Sequence, residues 1–310
     1  MKIIRIEQNN KNYLGLIDKN EKIRIINNYD DISPHNIEEL IDNKLKEINI
    51  ENLEILEGNY KILPCVNNVG KIVCVGLNYA DHAKESGLDV PSEPVIFSKA
   101  ITSISGPNDD IILPPESKKS DWEVELAIVI LKKTKNISEI DAESHIAGYT
   151  IVNDVSERHF QIEREGQFIK GKSYDTFCPL GPFIATKDEI PDVNNLTLTL
   201  KVNDKIMQNG NTSNLIFKPS FIVSYLSQFM TLMPGDIIPT GTPAGVGMGM
   251  NPQTFLKKGD TIELKIDYLG SQKQNVFWFN LIKNVLPFLG LYLLVGIVIL
   301  EVRPSPLINI

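Results

Sequence analysis

The run KKSDWEVELAIVI, Lys118 to Ile130, begins with charged residues and ends as an unbroken apolar stretch. Side chains on a strand alternate between faces, so Asp121, Glu123 and Glu125 share one face while Trp122, Val124 and Leu126 share the other. At a spacing of ~6.5 Å and an effective dielectric of ~20, each adjacent carboxylate pair repels by roughly 2.5 kcal/mol. A strand that carries three of them into a core needs a compensating charge.

The sequence on either side of this run is strand-like too. From KIVCVGLNY onward, the short apolar segments PVIFSK, DIILPP, AGYTIVND, LTLTLKVND, GDIIPTGTP and DTIELKID are separated by Gly/Pro turns. The pattern predicts a mostly β fold of the α/β class with few long helices. Helical periodicity is confined to SNLIFKPSFIVSYLSQFM (213–230) and a shorter ISEIDAESHI (137–146). Residues 1–65 read as a small α+β unit of their own, in which the strand-like KIIRIE, YLGLID and KIRIIN precede a helix with Ile37, Leu40, Ile41, Leu45 and Ile48 on one face. Residues 70–275 form the larger unit, and 276–310 an atypical apolar tail.

In composition this is an ordinary globular chain, with 310 residues, 42% hydrophobic and 23% charged. A net charge of -8 with no basic stripe argues against a nucleic-acid partner. Cys65, Cys74 and Cys178 show no CxxC spacing, which suggests neither a disulfide framework nor a zinc site and favours a reducing compartment. The N-terminus MKIIRIEQNNKNYLGLIDKNEK goes straight into strand alternation, unlike a signal or transit peptide, so the expected location is the cytoplasm, with the mitochondrion as the alternative. The segment Val285 to Leu300 carries no charge over 16 residues and contains Pro287. A spanning helix needs about 20 apolar residues, so a packed terminal segment or appended non-native sequence is favoured over a membrane anchor.

Four stretches can carry chemistry. Glu123 and Glu125, joined by Asp154 in GYTIVNDVSER, offer oxygen ligands suited to a hard divalent cation; the bland alternative is a solvated acidic edge. In GLNYADHAKESG, His82 and Glu85 stand one helical turn apart, so a carboxylate can orient an imidazole as general base or water activator. His35, His145 and His159 show no such partner in the sequence. Lys172, in GKSYDTFCPLGP, can stabilise an enolate or carboxylate oxygen or be a plain surface lysine. The glycine-rich PTGTPAGVGMG lacks the GK[ST] of a phosphate loop, so its glycines more simply allow backbone to approach a ligand, with Thr242 as a hydroxyl facing it.

Six stretches, in this order, resemble the fumarylacetoacetate hydrolase family: VGLNYADHAKE (75–85), EPVIFSKAITSISGP (93–107), DWEVELAIVI (121–130), GYTIVNDVSER (148–158), GKSYDTFCPLGP (171–182) and GTPAGVG (241–247). NPQTFLKKGD and SKKSDWEVELAIVI resemble the fumarylacetoacetate hydrolase domain-containing protein 2 type most. The resemblance implies a mixed β-sandwich roll with a smaller N-terminal domain, in a homodimer. It implies Mg²⁺, with Mn²⁺ or Ca²⁺ as alternatives, on Glu123, Glu125 and Asp154, a lid-helix dyad of His82 and Glu85, an active-site Lys172, and Thr242 at the carboxylate end of the substrate. The substrates it implies are 2-oxo acids that react through an enolate. Keto-enol tautomerisation of oxaloacetate is the expected activity, with hydrolysis of an acylpyruvate of the fumarylpyruvate type, or decarboxylation of oxaloacetate, as alternatives from the same site. The apolar tail alone motivates a reading of another class, a non-catalytic membrane-tethered binding protein.

Overall fold

The computed structural model describes residues 1–279 other than Ser86. The expectations for the tail, including the 285–300 segment, lie outside the described residues. Among the described residues no helix is long and apolar enough to cross a membrane.

The strand Val124–Ile130 is buried at every position. It pairs antiparallel with Ile146–Asn153 on one side and with Ile237–Pro239 on the other. Its alternation sorts two cores. Trp122, Val124, Leu126, Ile128 and Ile130 pack with Leu198, Leu200, Ile262 and Leu264 of a second sheet. Ala127 and Val129 pack instead with Ile37, Leu40 and Ile41 of the helix Ile37–Asp42. The period of two therefore holds, but both faces are covered, which is why the strand reads as a continuous apolar run.

The large sheet has eleven strands, and its main path runs Ile23–Ile25, Lys11–Ile17, Lys2–Gln8, Cys178–Ala185, Ile146–Asn153, Val124–Ile130, Ile237–Pro239, Ile72–Gly76, Val95–Lys99. The second sheet is five-stranded, in the order Lys205–Asn211, Thr197–Val202, Thr261–Ile266, Gly270–Trp278, Ile111–Leu113. The layered, mostly β architecture expected from the strand pattern is thus present. The N-terminal strands join it directly, because Lys2–Gln8 pairs antiparallel with Cys178–Ala185. The main sheet thus runs on across residues 65–70, where the sequence suggested a boundary between two units.

Two local readings change. The acidic run is not one uninterrupted strand: Ser120–Asp121 pairs with Ser156–Glu157 in a separate ribbon, and the main ladder starts at Val124. Asp121 is therefore held by a different neighbour from Glu125. The long helical pattern also begins later than its periodicity suggests, at Pro219–Phe229. Proline has no N–H to donate and a fixed φ, so it suits the first helical turn and not the interior.

Close packing between the central strands depends on Gly148. A Cβ there would lie 2.2 Å from the Ala185 carbonyl oxygen and 2.8 Å from its carbon, both backbone atoms of the paired strand. Gly148→Ala should destabilise the fold by about 1–3 kcal/mol through overpacking, read as a lower urea midpoint at unchanged m-value.

Candidate active site

A cavity of about 420 Å³ opens beside the start of the Val124–Ile130 strand, and Glu123, Glu125, Lys172, His82, Glu85 and Thr242 all line it. Glu125 enters from the strand and Glu123 from the residue before it. Asp154 follows directly on Ile146–Asn153, and its N–H donates to the Glu123 carbonyl at 2.9 Å. Antiparallel register thus carries Asp154 to the two glutamates. One oxygen from each carboxylate lies within 4.8 Å of the others, and all three residues are buried.

Three cations surround these carboxylates. Lys172 Nζ donates to Glu123 Oε2 at 2.7 Å and to Asp154 Oδ2 at 2.6 Å. It ends the helix Phe168–Lys172, which lies tight against the Arg158–Ile162 helix because residue 171 is glycine: a Cβ there would be 2.5 Å from the Glu157 carbonyl. Lys99, the last residue of Val95–Lys99, donates to Asp154 Oδ1 at 2.6 Å and to the Val155 carbonyl at 3.2 Å. Arg158 donates through Nε to Asp121 at 2.9 Å and through Nη1 to Gln161 at 3.0 Å, while its Nη2 pairs with Glu123 Oε1 at 2.6 Å.

The charges are unevenly settled. Burial alone would raise the pKa of Glu123, but Lys172 and Arg158 outweigh it and hold this carboxyl below its ordinary range. Burial would likewise lower that of Lys172, and Asp154 and Glu123 override it, so the group is a firm ammonium cation. Glu125 is the exception: burial, then the charges of Asp154 and Glu123, push its pKa well up. The one hydrogen bond to its carboxylate among the described residues comes from the Gly241 N–H at 2.8 Å. Negative charge at this point is under-compensated, the donors are hard oxygens, and their spacing suits a cation with oxygen ligands at about 2.0–2.6 Å. The residues fit a divalent cation.

The dyad meets as its spacing predicts. His82 Nδ1 lies 3.0 Å from Glu85 Oε2 on the helix Ala80–Glu85. Glu85 Oε1 accepts the Gly245 N–H at 2.9 Å, which ties this helix to the glycine-rich loop. Gly249 leaves the space for that carboxylate, since a Cβ there would fall 2.4–2.8 Å from Glu85 atoms. Thr242 lines the cavity, but its hydroxyl donates to the Val124 carbonyl at 3.0 Å and accepts from Gln208 Nε2 at 2.8 Å. Asp121 accepts the Gly247 and Met248 N–H groups at 2.6 and 3.0 Å, so its place is beneath the same loop.

Sequence reasoning passed over Lys99 and Arg158. A lysine ending an apolar strand and an arginine directly after the buried Ser156–Glu157 ribbon were the available signals. His159 does have a carboxylate partner, Glu163 at 3.0 Å and four residues on, but the pair sits at the surface with Glu163 45% exposed. His145 Nδ1 lies 2.8 Å from Thr134 Oγ1.

The model of the fumarylacetoacetate (FAA) hydrolase C-terminal region matches residues 71–277. The chain belongs to the fumarylacetoacetate hydrolase family. It is 46% identical over 277 residues to a 2,4-didehydro-3-deoxy-L-rhamnonate hydrolase of a Sphingomonas species, covering 89% of this chain and 96% of the relative. Among solved structures it resembles a 5-carboxymethyl-2-hydroxymuconate delta-isomerase from Mycobacterium smegmatis, with TM-score 0.70, 31% identity, 90% of this chain and 100% of that one covered. It also resembles a maleylpyruvate hydrolase from a Sphingobium species, in complex with manganese (II) ion and pyruvate, with TM-score 0.75, 27% identity and coverage of 90% and 100%.

If the carboxylates hold a divalent cation, Mn²⁺ at one hundred times its Kd stabilises the folded chain by about 2.7 kcal/mol. Asp154→Asn should lose that increment, measured as the difference in stability of each protein with and without Mn²⁺.

Proposed function

We propose that this member of the fumarylacetoacetate hydrolase family hydrolyses a carbon–carbon bond in an acylpyruvate, releasing pyruvate and a carboxylic acid. The observation that carries the reading is one cavity shared by an imidazole–carboxylate dyad, His82 and Glu85 3.0 Å apart, and by the cationic Lys172 among the ligand-type carboxylates. The relatives support it. A 2,4-didehydro-3-deoxy acid has carbonyls at C2 and C4 on either side of a methylene, the bonding pattern of an acylpyruvate.

In this reading His82 is oriented through Nδ1 by Glu85, which leaves Nε2 to take a proton from water. The water oxygen attacks the C4 carbonyl. The C3–C4 bond then breaks, its electron pair delocalises from C3 onto the 2-oxo group, and His82 returns a proton to C3. Lys172 and Arg158 supply positive charge where the enolate develops, in a water-poor site where such charge acts strongly. Mg²⁺ or Mn²⁺ on Glu123, Glu125 and Asp154, when bound, supplies Lewis-acid stabilisation of that negative charge. Thr242 stands at the carboxylate end of the substrate. As the resemblance implies, we take the protein to work as a homodimer; the cytoplasm is its expected location.

A second reading is keto-enol tautomerisation of oxaloacetate, favoured by the likeness to a delta-isomerase. It needs the same proton transfer at C3 by the same dyad, without water attack.

Acetylpyruvate with Mg²⁺ should yield pyruvate, measured with coupled lactate dehydrogenase, and Glu85→Gln should lower kcat/KM by about 10²-fold or more. Accelerated ultraviolet loss of enol-oxaloacetate, with no pyruvate from any acylpyruvate, would establish the second reading in place of the first.

A further inference from the structure

The cavity changes character with depth. At its floor Glu123, Glu125, Lys172 and Arg158 are 2–5% exposed. At its mouth stand Leu88, Val95, Ile162 and Phe168, 36–53% exposed. Phe97 joins the two levels, with its ring edge-on to Phe168 at 5.6 Å between centroids and Lys172 Nζ 4.9 Å from its centroid. One apolar wall therefore runs from solvent down to the lysine.

Positive charge follows the opposite gradient. Among the described lining residues the lysine and arginine side chains are Lys172 and Arg158, both at the floor and both already paired with carboxylates. Lys99, just behind, is committed to Asp154. The carboxylates of Glu85, Asp121, Glu123, Glu125 and Asp154 exceed these three cations by two, a deficit that one divalent cation makes good. With that cation bound the charges sum to zero, so the floor carries no surplus positive charge for a carboxylate at the far end of the substrate. Farther out, both oxygens of Glu85 are engaged, and the Gln253 amide donates to the Met248 carbonyl at 2.9 Å.

We propose that the acyl group distal to the pyruvate unit is uncharged and apolar, and that the cavity discriminates against an acyl group ending in a second carboxylate. The inference rests on the acylpyruvate reading above and narrows it. A second carboxylate laid along the Phe97–Phe168 wall would lose water without gaining a lysine or arginine among the described lining residues, whereas a methyl group there gains apolar contact.

Butanoylpyruvate and succinylpyruvate share a chain length and differ at that end, a methyl group against a carboxylate. With Mn²⁺ present, kcat/KM for butanoylpyruvate should exceed that for succinylpyruvate by about ten-fold or more. Ile162→Arg, or Phe168→Arg should the first variant fail to fold, should narrow the ratio by raising the rate on succinylpyruvate. Calorimetric binding of 2-oxohexanoate and 2-oxoadipate reads the same wall without turnover. If neither acylpyruvate is cleaved while 2-oxohexanoate still binds about ten-fold tighter, the hydrolase reading falls and the discrimination stands. Equal or better use of succinylpyruvate, equal or tighter binding of 2-oxoadipate, or binding of neither 2-oxo acid would overturn the proposal.

Discussion

Three carboxylates gathered inside a protein, with one oxygen of each within 4.8 Å of the others, set the terms for everything around them. Buried charge is tolerated only when it is paired and hydrogen-bonded. Lys99 closes in from the end of Val95–Lys99, Lys172 from the end of a short helix, and Arg158 from the start of the helix that follows the Ser156–Glu157 ribbon. Each is itself buried, so each needs the carboxylates as much as they need it. Glu125 is left facing two negative neighbours with a single backbone donor, and it is there that a divalent cation has a physical reason to bind.

The glycine-rich loop makes this charged floor and the His82–Glu85 pair one assembly. Its Gly241 N–H reaches Glu125, its Gly245 N–H reaches Glu85, and its Gly247 and Met248 N–H groups reach Asp121. Gly241 and Gly245 hold φ near +102° and +105°, a region that favours glycine, and a Cβ at Gly245 would sit 2.0 Å from the Met207 carbonyl. A loop so constrained holds the carboxylates of Glu125 and Glu85 at a set distance through backbone N–H groups alone. Asp121, which had no evident role as a member of an acidic strand face, is the anchor that keeps the loop down.

Much of the fold was legible because its signals are local. The apolar alternation of residues 122–130 and the strand-like segments between turns correspond to strands in two sheets. The helix periodicity at 213–230 overran only where Pro219 imposes a start. Ligand-type carboxylates, dyad and lysine were each visible as residue types at suggestive spacings. Lys99 and Arg158 were not, since a lysine or arginine next to an apolar segment is usually a solvated end. The surface pair His159 and Glu163 shows the converse, a favourable spacing with no cavity to serve.

The sequence by itself determined which side chains share a face and which share a helical turn. The period of two of extended backbone puts Glu123 and Glu125 together, and one turn of helix brings His82 to Glu85; both follow from backbone geometry over a few residues. Only the tertiary structure decided that Asp154, Lys99, Lys172 and Arg158 converge on those glutamates. Their meeting depends on antiparallel register across the sheet and on the close approach that Gly171 permits. Neither is encoded in any short window of residues, because each is a property of two segments packed against one another.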